Sequence, residues 1–271
     1  LFDSIYNVDP FETPFLSKIG KVKAENTLHE WQTDGLDAPS DSNAHIEGDD
    51  TTVESVTPTV RLGNYTQIFK KSARIPGTVE ATKRAGRGRE MAYTLMLKGK
   101  AMKTDMESSA FKNGARAAGS STVARAMAGV PAWLTSNTSA GSGGSDATGD
   151  GTDARTDGTQ RAFTESQLKT VLASVFDNSG QKPDCVFLGS FNKQVMSGFA
   201  GGATRFDKSE DKKVTAAVDV YEYDFGLIEA KPSRHVRSRD ALILSSPMWA
   251  WAQLRPMKQE QLAKTGDSTS F

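Results

Sequence analysis

Residues 7–20 read Asn7-Val8-Asp9-Pro10-Phe11-Glu12-Thr13-Pro14-Phe15-Leu16-Ser17-Lys18-Ile19-Gly20. Pro10 and Pro14 lack a backbone N–H and crowd the residue before them, so they preclude a regular helix through this stretch. Phe11, Phe15, Leu16 and Ile19 still need burial. The pattern predicts an extended arm with large apolar anchors, docked on another surface or on its own domain.

Working outward, residues 27–33 alternate. Leu28, Glu30 and Gln32 lie on one face, His29, Trp31 and Thr33 on the other. Residues 64–75 alternate too, with Tyr65, Gln67 and Phe69 opposed to Thr66 and Ile68. Period two with aromatic and β-branched residues predicts strands. The acidic, turn-rich segment between them makes the simplest reading a long two-stranded arm with an irregular tip. An isolated hairpin is barely stable in water, so this arm is expected to rest against something, a second subunit above all.

The charge pattern gives the arm a direction. The 271 residues carry 33 Lys and Arg against 33 Asp and Glu. The zero balance argues against a protein that coats nucleic acid, which is usually strongly basic. It is unevenly spread. Residues 24–60 hold no Lys or Arg but nine acids: Glu25, Glu30, Asp34, Asp37, Asp41, Glu47, Asp49, Asp50 and Glu54. Residues 61–89 hold eight bases (Arg61, Lys70, Lys71, Arg74, Lys83, Arg84, Arg87, Arg89) and one acid, Glu80. Blocks of −9 and +7 are either solvated loops or surfaces that pair, within one molecule or between molecules.

Residues 78–118 predict a long helix. Met91, Leu95, Gly99, Met102, Met106 and Ala110 form one apolar stripe, and no proline interrupts it. Gly86 and Gly88 make its start irregular. Residues 135–160 comprise six Thr, six Gly, four Ser and four Asp, with Ala as the only apolar type, which predicts a mobile surface loop. Thr164 and Gln167 form a capping-box pair that opens a helix ending at Gly180. Residues 184–188 predict a short buried strand, and Ser190 the cap of another helix. Residues 220–225, 227–230, 241–244 and 249–254 predict further strands, punctuated by Pro232, Pro247 and Pro256.

No catalytic constellation emerges. His29, His45 and His235 lack metal-ligand spacing, and the lone Cys185 excludes both an internal disulfide and a cysteine zinc site. Asp146, Asp150, Asp153 and Asp157 lack the calcium-loop spacing and closing Glu. No G-x-S-x-G or phosphate-loop motif occurs. Cys185 reads as a small core residue. No apolar run reaches the ~20 residues of a membrane span. The reading is therefore a non-enzyme with no catalytic residue, cofactor, metal or membrane partner.

The residues quoted for the arm, together with His29-Glu30-Trp31-Gln32-Thr33-Asp34, Leu254-Arg255-Pro256 and Leu262-Ala263-Lys264-Thr265-Gly266-Asp267-Ser268, resemble blocks of the SU-10-like family of tailed-bacteriophage major capsid proteins. The blocks lie near both ends, and the element order between them is compatible with that family. The resemblance implies an α+β, Hong Kong 97-like fold. It implies an N-terminal arm at residues 1–26, an extended hairpin loop at 27–76 and a peripheral domain with a spine helix at 77–119. An α/β axial domain with a flexible loop at 135–160 would span 120–215, and return strands of the peripheral domain 216–271. It further implies a virion shell of hexamers and pentamers around double-stranded DNA, assembled in the bacterial cytoplasm. The DNA contact would be non-specific, and the other partners would be portal, scaffolding and decoration proteins.

Intersubunit contacts are expected from Phe11, Phe15, Trp31, Tyr65 and Phe69 as aromatic anchors, and from Asp49 and Asp50 against Arg84, Arg87 and Arg89. Three rivals stand beside this reading. A decoration or tail protein would not form closed shells. A DNA-binding protein would show strongly salt-dependent affinity. A hydrolase would need a deep pocket with convergent, perturbed carboxylates.

Overall fold

The computed structural model describes residues 12–50, 53, 55–82, 89–199, 219–263 and 266–270. Phe11, Arg84 and Arg87 lie outside them.

The first element among the described residues is α1, Pro14–Lys18. Here the arm expectation needs correction, because Pro14 starts a helical turn instead of preventing one. At the first position of a helix its missing N–H costs nothing and its fixed φ is already helical. β1 (Gly20–Lys23), β2 (Leu28–Thr33), β3 (Val60–Tyr65) and β4 (Arg74–Pro76) follow. The hairpin is present, but its second strand is displaced toward the tip. β3 begins at Val60, while residues 66–73, expected to be strand, are irregular.

The predicted long helix is split. α2 covers Gly77–Ala81, and Thr82 is already extended. α3 runs from Glu90 to Phe111. It stops short of residue 118 because Lys112 turns extended and the incoming backbone at Gly129 passes directly against the Lys112 carbonyl. Only Glu107, Ala110 and Phe111 of α3 are buried. The Met stripe upstream is half-buried, so the expected core-facing face is realised only in the last turn.

α4 (Glu165–Ser179) carries the capping box, with Thr164 accepting from the Gln167 N–H and Gln167 accepting from the Thr164 N–H, and it ends on a left-handed Gly180. After it come β5 (Cys185–Leu188), α5 (Ser190–Ser197), β6 (Val220–Tyr223), β7 (Gly226–Pro232), β8 (Ala241–Leu244), β9 (Ala250–Gln253) and β10 (Ser268–Ser270). The cap of α5 is Gly189, not Ser190.

β6, β7, β5 and β8 form a sheet in that order. β5 runs parallel to β7 and antiparallel to β8. β5 is buried on both faces, which suits its unbroken apolar sequence Cys-Val-Phe-Leu. Val186 and Leu188 face α4, packing with Leu168, Leu172, Tyr221, Tyr223 and Ile228. Cys185 and Phe187 face the other way, onto Phe15, Phe111, Val130, Leu242 and Leu244. Three small ladders, β1 with β9, β4 with β10 and β2 with β3, complete the topology.

Residues 135–160 correct the mobile-loop expectation. Ser145 and Thr156 exchange backbone hydrogen bonds, Arg155 pairs with Asp146 at 2.6 Å, and Thr148 and Thr152 both donate to Asp150. Those donors hold the Asp150 carboxyl down at about 2. Ala147 and Gly151 are buried. Polar side chains here build a fixed shape by hydrogen bonding where no apolar core is available.

Candidate assembly interface

Among the described residues, the longest exposed stretch belongs to the hairpin. Its stem keeps a six-residue register from Leu28 opposite Tyr65 to Thr33 opposite Val60. Beyond it, residues 34–50, 53 and 55–59 are all exposed. Leu36 is 101% and Val56 93% exposed, and Ile46 and Val53 are similarly bare. The described bonds of the tip are local, such as Gly35 N–H to Asp34 Oδ1 and Asp49 N–H to Ile46 O.

The stem itself is held firmly. Asn64 uses its amide as a strand would use its backbone, accepting from the Ala128 N–H at 2.9 Å and donating to the Ala128 carbonyl at 3.4 Å. Arg125 Nε donates to the Thr66 carbonyl at 2.6 Å, and Arg116 donates to the Gly63 carbonyl. The Arg116 guanidinium also lies 5.9 Å from the Tyr65 ring centre. Trp31 packs on Trp133 with ring centres 5.2 Å apart. Residues 114–134 thus form a cradle under the stem. The cradle is folded back on itself by paired bonds between Ala117 and Ala126. Gly119, at φ +78°, lies so close to the Arg125 backbone that a Cβ would collide at 2.7 Å.

The cradle hangs from the last turn of α3, and there the sequence reading missed a residue. Glu107 is fully buried and accepts from the Phe15 N–H at 2.9 Å and the Leu16 N–H at 3.0 Å. One carboxylate therefore satisfies two of the otherwise unpaired donors at the start of α1. Burial pushes its carboxyl above the usual range, against the pull of those two N–H groups. The available signal was an acid flanked by Met106, Ala110 and Phe111 on the apolar side of a helix. Asn64, Arg116 and Arg125 carried no comparable signal, because each bonds to backbone far away in sequence.

Beside α1, Lys18 reaches Glu229 at 3.0 Å and Asp184 at 3.4 Å. Burial pushes Asp184 up, but Ser246 and Lys18 outweigh that and hold it below the usual range. Lys18 is itself raised, first by its bond to Glu229. Both groups are charged, so the cluster is an ion-pair clasp on α1.

The aromatic anchors divide accordingly. Phe15 is 2% exposed and packs against Phe111 and Phe187 at 5.1 and 5.4 Å. Its role as an intersubunit anchor is therefore corrected to one in the core of its own chain. Trp31 and Tyr65 face the cradle, and Phe69 lies 6.3 Å from Trp251. All three are half-buried. Asp49 and Asp50 are exposed at the tip. Arg89 is exposed and lies 3.8 Å from Glu80 of its own chain. Within the basic block, Lys71 pairs with Asp105 of α3 at 2.5 Å.

Little here suits catalysis. A solvent-open hollow of about 520 Å³ beside the last turn of α3 holds a single carboxylate, Asp157. Arg237 grips it in two-pronged fashion at 2.9 and 3.0 Å and keeps it ionised. Among the described residues, no group of three or more His, Cys, Asp or Glu is arranged to hold a metal. Likewise among them, no helix is long and apolar enough to cross a membrane. Cys185 is fully buried, its thiol pushed up to about 12 by burial first and by Asp184 beside it.

The model of the SU10 major capsid protein family matches residues 1–271. The chain belongs to the SU10 major capsid protein family. Among relatives of this SU10-family chain is the "Major capsid protein" of Escherichia phage Phieco32. It is 42% identical over 100 residues, which are 37% of this chain and 28% of that one. The match thus spans well under a third of that relative's length. Among solved structures, the "Cyanophage A-1(L) capsid asymmetric unit" aligns with a TM-score of 0.59 at 13% identity, covering 91% of this chain and 74% of that one. One from Mycobacterium phage Adephagia aligns at 0.50 and 12% identity, covering 94% and 79%. These likenesses place the SU10-family chain in the α+β, Hong Kong 97-like capsid fold that its sequence led us to expect.

Proposed function

We propose that this chain is the major capsid protein of a tailed bacteriophage, a structural and non-enzymatic subunit that self-assembles as hexamers and pentamers into an icosahedral shell around double-stranded DNA. The single observation that carries this reading is the uncovered hairpin tip in a chain of the SU10 major capsid family. Leu36, Ile46, Val53 and Val56 stand almost fully in solvent. Among the described residues nothing receives them, and a second copy is the natural occupant. Head-to-tail contacts of this kind close into rings when the rotation between copies allows.

In this reading residues 1–26 are the N-terminal arm and 27–76 the extended loop. The peripheral domain takes 77–119 and 216–271, and the axial domain 120–215. The acidic tip, with Asp49 and Asp50, lies against the basic block of a neighbour, where Arg84, Arg87 and Arg89 stand in sequence. Trp31, Tyr65 and Phe69 support the loop from below. Portal, scaffolding and decoration proteins are the remaining partners, contact with the packaged DNA is non-specific, and assembly takes place in the host cytoplasm.

Negative-stain microscopy of the expressed protein tests the shell directly. Closed particles or ring-shaped capsomers are expected, and uniform monomers under all assembly conditions would overturn it. The tip contact is tested by Asp49→Lys with Asp50→Lys, and separately by Arg87→Glu with Arg89→Glu. Each pair is expected to block assembly alone and the combination to restore it in part. Normal assembly of both single-side variants refutes the electrostatic contact.

A further inference from the structure

Besides the Met127 N–H to Gln67 Oε1 bond at 3.3 Å, the hairpin is bound to residues 114–134 by four hydrogen bonds from three side chains with no common element: Asn64 of the hairpin, and Arg116 and Arg125 of the cradle. All four bonds end on backbone, two at Ala128 and one each at Gly63 and Thr66. They lie within four residues of chain at the foot of the stem, around the point where the ladder ends at Tyr65. A two-stranded ribbon has no sheet face to fix its direction, so left alone it would swing about this foot.

The cradle is fixed in turn. Its backbone is locked by the Ala117–Ala126 pairing and by the Gly129 N–H to Gly114 carbonyl bond. Arg116 N–H donates to the Gly151 carbonyl at 2.7 Å, and the Trp133 ring closes on the same glycine. Asn113 exchanges two bonds with the Arg155 backbone. A continuous set of backbone-directed bonds therefore joins the stem to the hydrogen-bonded 135–160 segment and to α3.

We infer that Asn64, Arg116 and Arg125 are positioning residues that set the angle at which the hairpin leaves the body, and that this angle governs how consecutive copies meet. The inference rests on the shell-subunit reading for its second half, while the first half concerns the free chain alone. Backbone targets suit the task. A side chain gripping a backbone carbonyl fixes where the chain runs, whereas contacts between two flexible side chains would let it drift. The stem's contribution to assembly then lies in direction, and the tip's in contact area.

The test uses the free subunit with spin labels at Val60→Cys, on the far end of the stem, and Lys182→Cys on the body. Both positions are exposed, and native Cys185 is fully buried. Pulsed electron-spin distance measurements are expected to give one narrow distribution in the parent. Asn64→Ala and Arg125→Ala should broaden it and shift its mean, with the urea midpoint nearly unchanged. Asn64→Asp keeps the acceptor for the Ala128 N–H but sets an oxygen against the Ala128 carbonyl, so it should behave like Asn64→Ala. Arg125→Lys, which keeps the charge and loses the Nε donor, should broaden the distribution as well. An unchanged distribution in all four variants overturns the positioning role. Where the parent assembles, the variants should lose uniform particle diameter in micrographs, and uniform particles from a chain with a loosened stem overturn the second half. A parent that forms no shells overturns the shell reading, and the spin-label result stands apart from it.

Discussion

Replacing Glu107 by Ala removes the carboxylate that holds α1 to α3 through two backbone donors, Phe15 N–H at 2.9 Å and Leu16 N–H at 3.0 Å. A hydrogen bond to a charged group contributes about 1.5–3 kcal/mol, and a buried donor left unpaired costs about 1–3 kcal/mol. Burial of the charge itself offsets part of this, as the raised carboxyl indicates. Taking the lower figure for each of the two bonds, the loss is about 3 kcal/mol. That is a large share of the ~5–15 kcal/mol that stabilises an ordinary protein.

Glu107→Gln retains one acceptor and carries no charge, so it should cost about 1 kcal/mol, roughly one neutral hydrogen bond. Urea unfolding of the free subunit, fitted with a common slope, measures both. An alanine variant within about 0.5 kcal/mol of the parent, an ordinary surface effect, would refute the clamp. So would a glutamine variant less stable than the alanine one. The pH dependence gives an independent reading. The folded carboxyl sits above its usual value, so its contribution is most favourable when protonated and is lost as pH rises through the folded value. The parent should therefore gain stability on glutamine as pH is lowered from neutral through the folded value toward the ordinary glutamate value. A difference between the two that is flat with pH contradicts the burial argument.

Other consequences are simpler to check. Phe15→Ala should destabilise the free subunit by about 3–5 kcal/mol in urea, since it empties a site shared with Phe111 and Phe187. A variant that folds like the parent and fails only in assembly would restore Phe15 as an interface anchor. Thr164→Ala should cost about 1 kcal/mol through loss of the cap on α4. Gly119→Ala should destabilise the cradle more than an ordinary surface change, because a side chain there is strained by φ and meets Arg125. Cys185 should resist thiol reagents in the native protein at pH 8 and react fully after unfolding, with fast native labelling contradicting its burial.

The parts of the fold that were legible in sequence are those decided by short-range patterns. α4 was readable from Thr164, Gln167 and Gly180 because a cap is satisfied within its own turn. β5 was readable because burial on both faces demands an unbroken apolar run. The hairpin was readable in existence but not in register. Alternation of polar and apolar residues continues through Gln67 and Phe69, whereas the ladder ends at Tyr65, where Asn64 and Thr66 turn to the cradle. The 135–160 segment defeated composition altogether. Its order rests on paired polar groups such as Asp146 with Arg155, and the frequency of residue types does not encode which of them meet.

The candidate interface divides in the same way. By itself the sequence determined that the chain has an acidic, turn-rich arm beside a basic block, and it carried enough of the family's motifs to identify the capsid class. Charge blocks and motif order are properties of the linear chain. Tertiary structure alone decided which aromatic residues remain available for a partner. Phe15 read in sequence as an anchor for another surface, yet it is buried where Glu107, ninety-two positions away, captures its N–H and holds α1 on the core. Tertiary structure also decided the arm's direction, since Asn64, Arg116 and Arg125 bind backbone groups that only the fold brings within 3.4 Å. Contacts of that kind leave no periodicity in a sequence, because each joins one side chain to one distant peptide group.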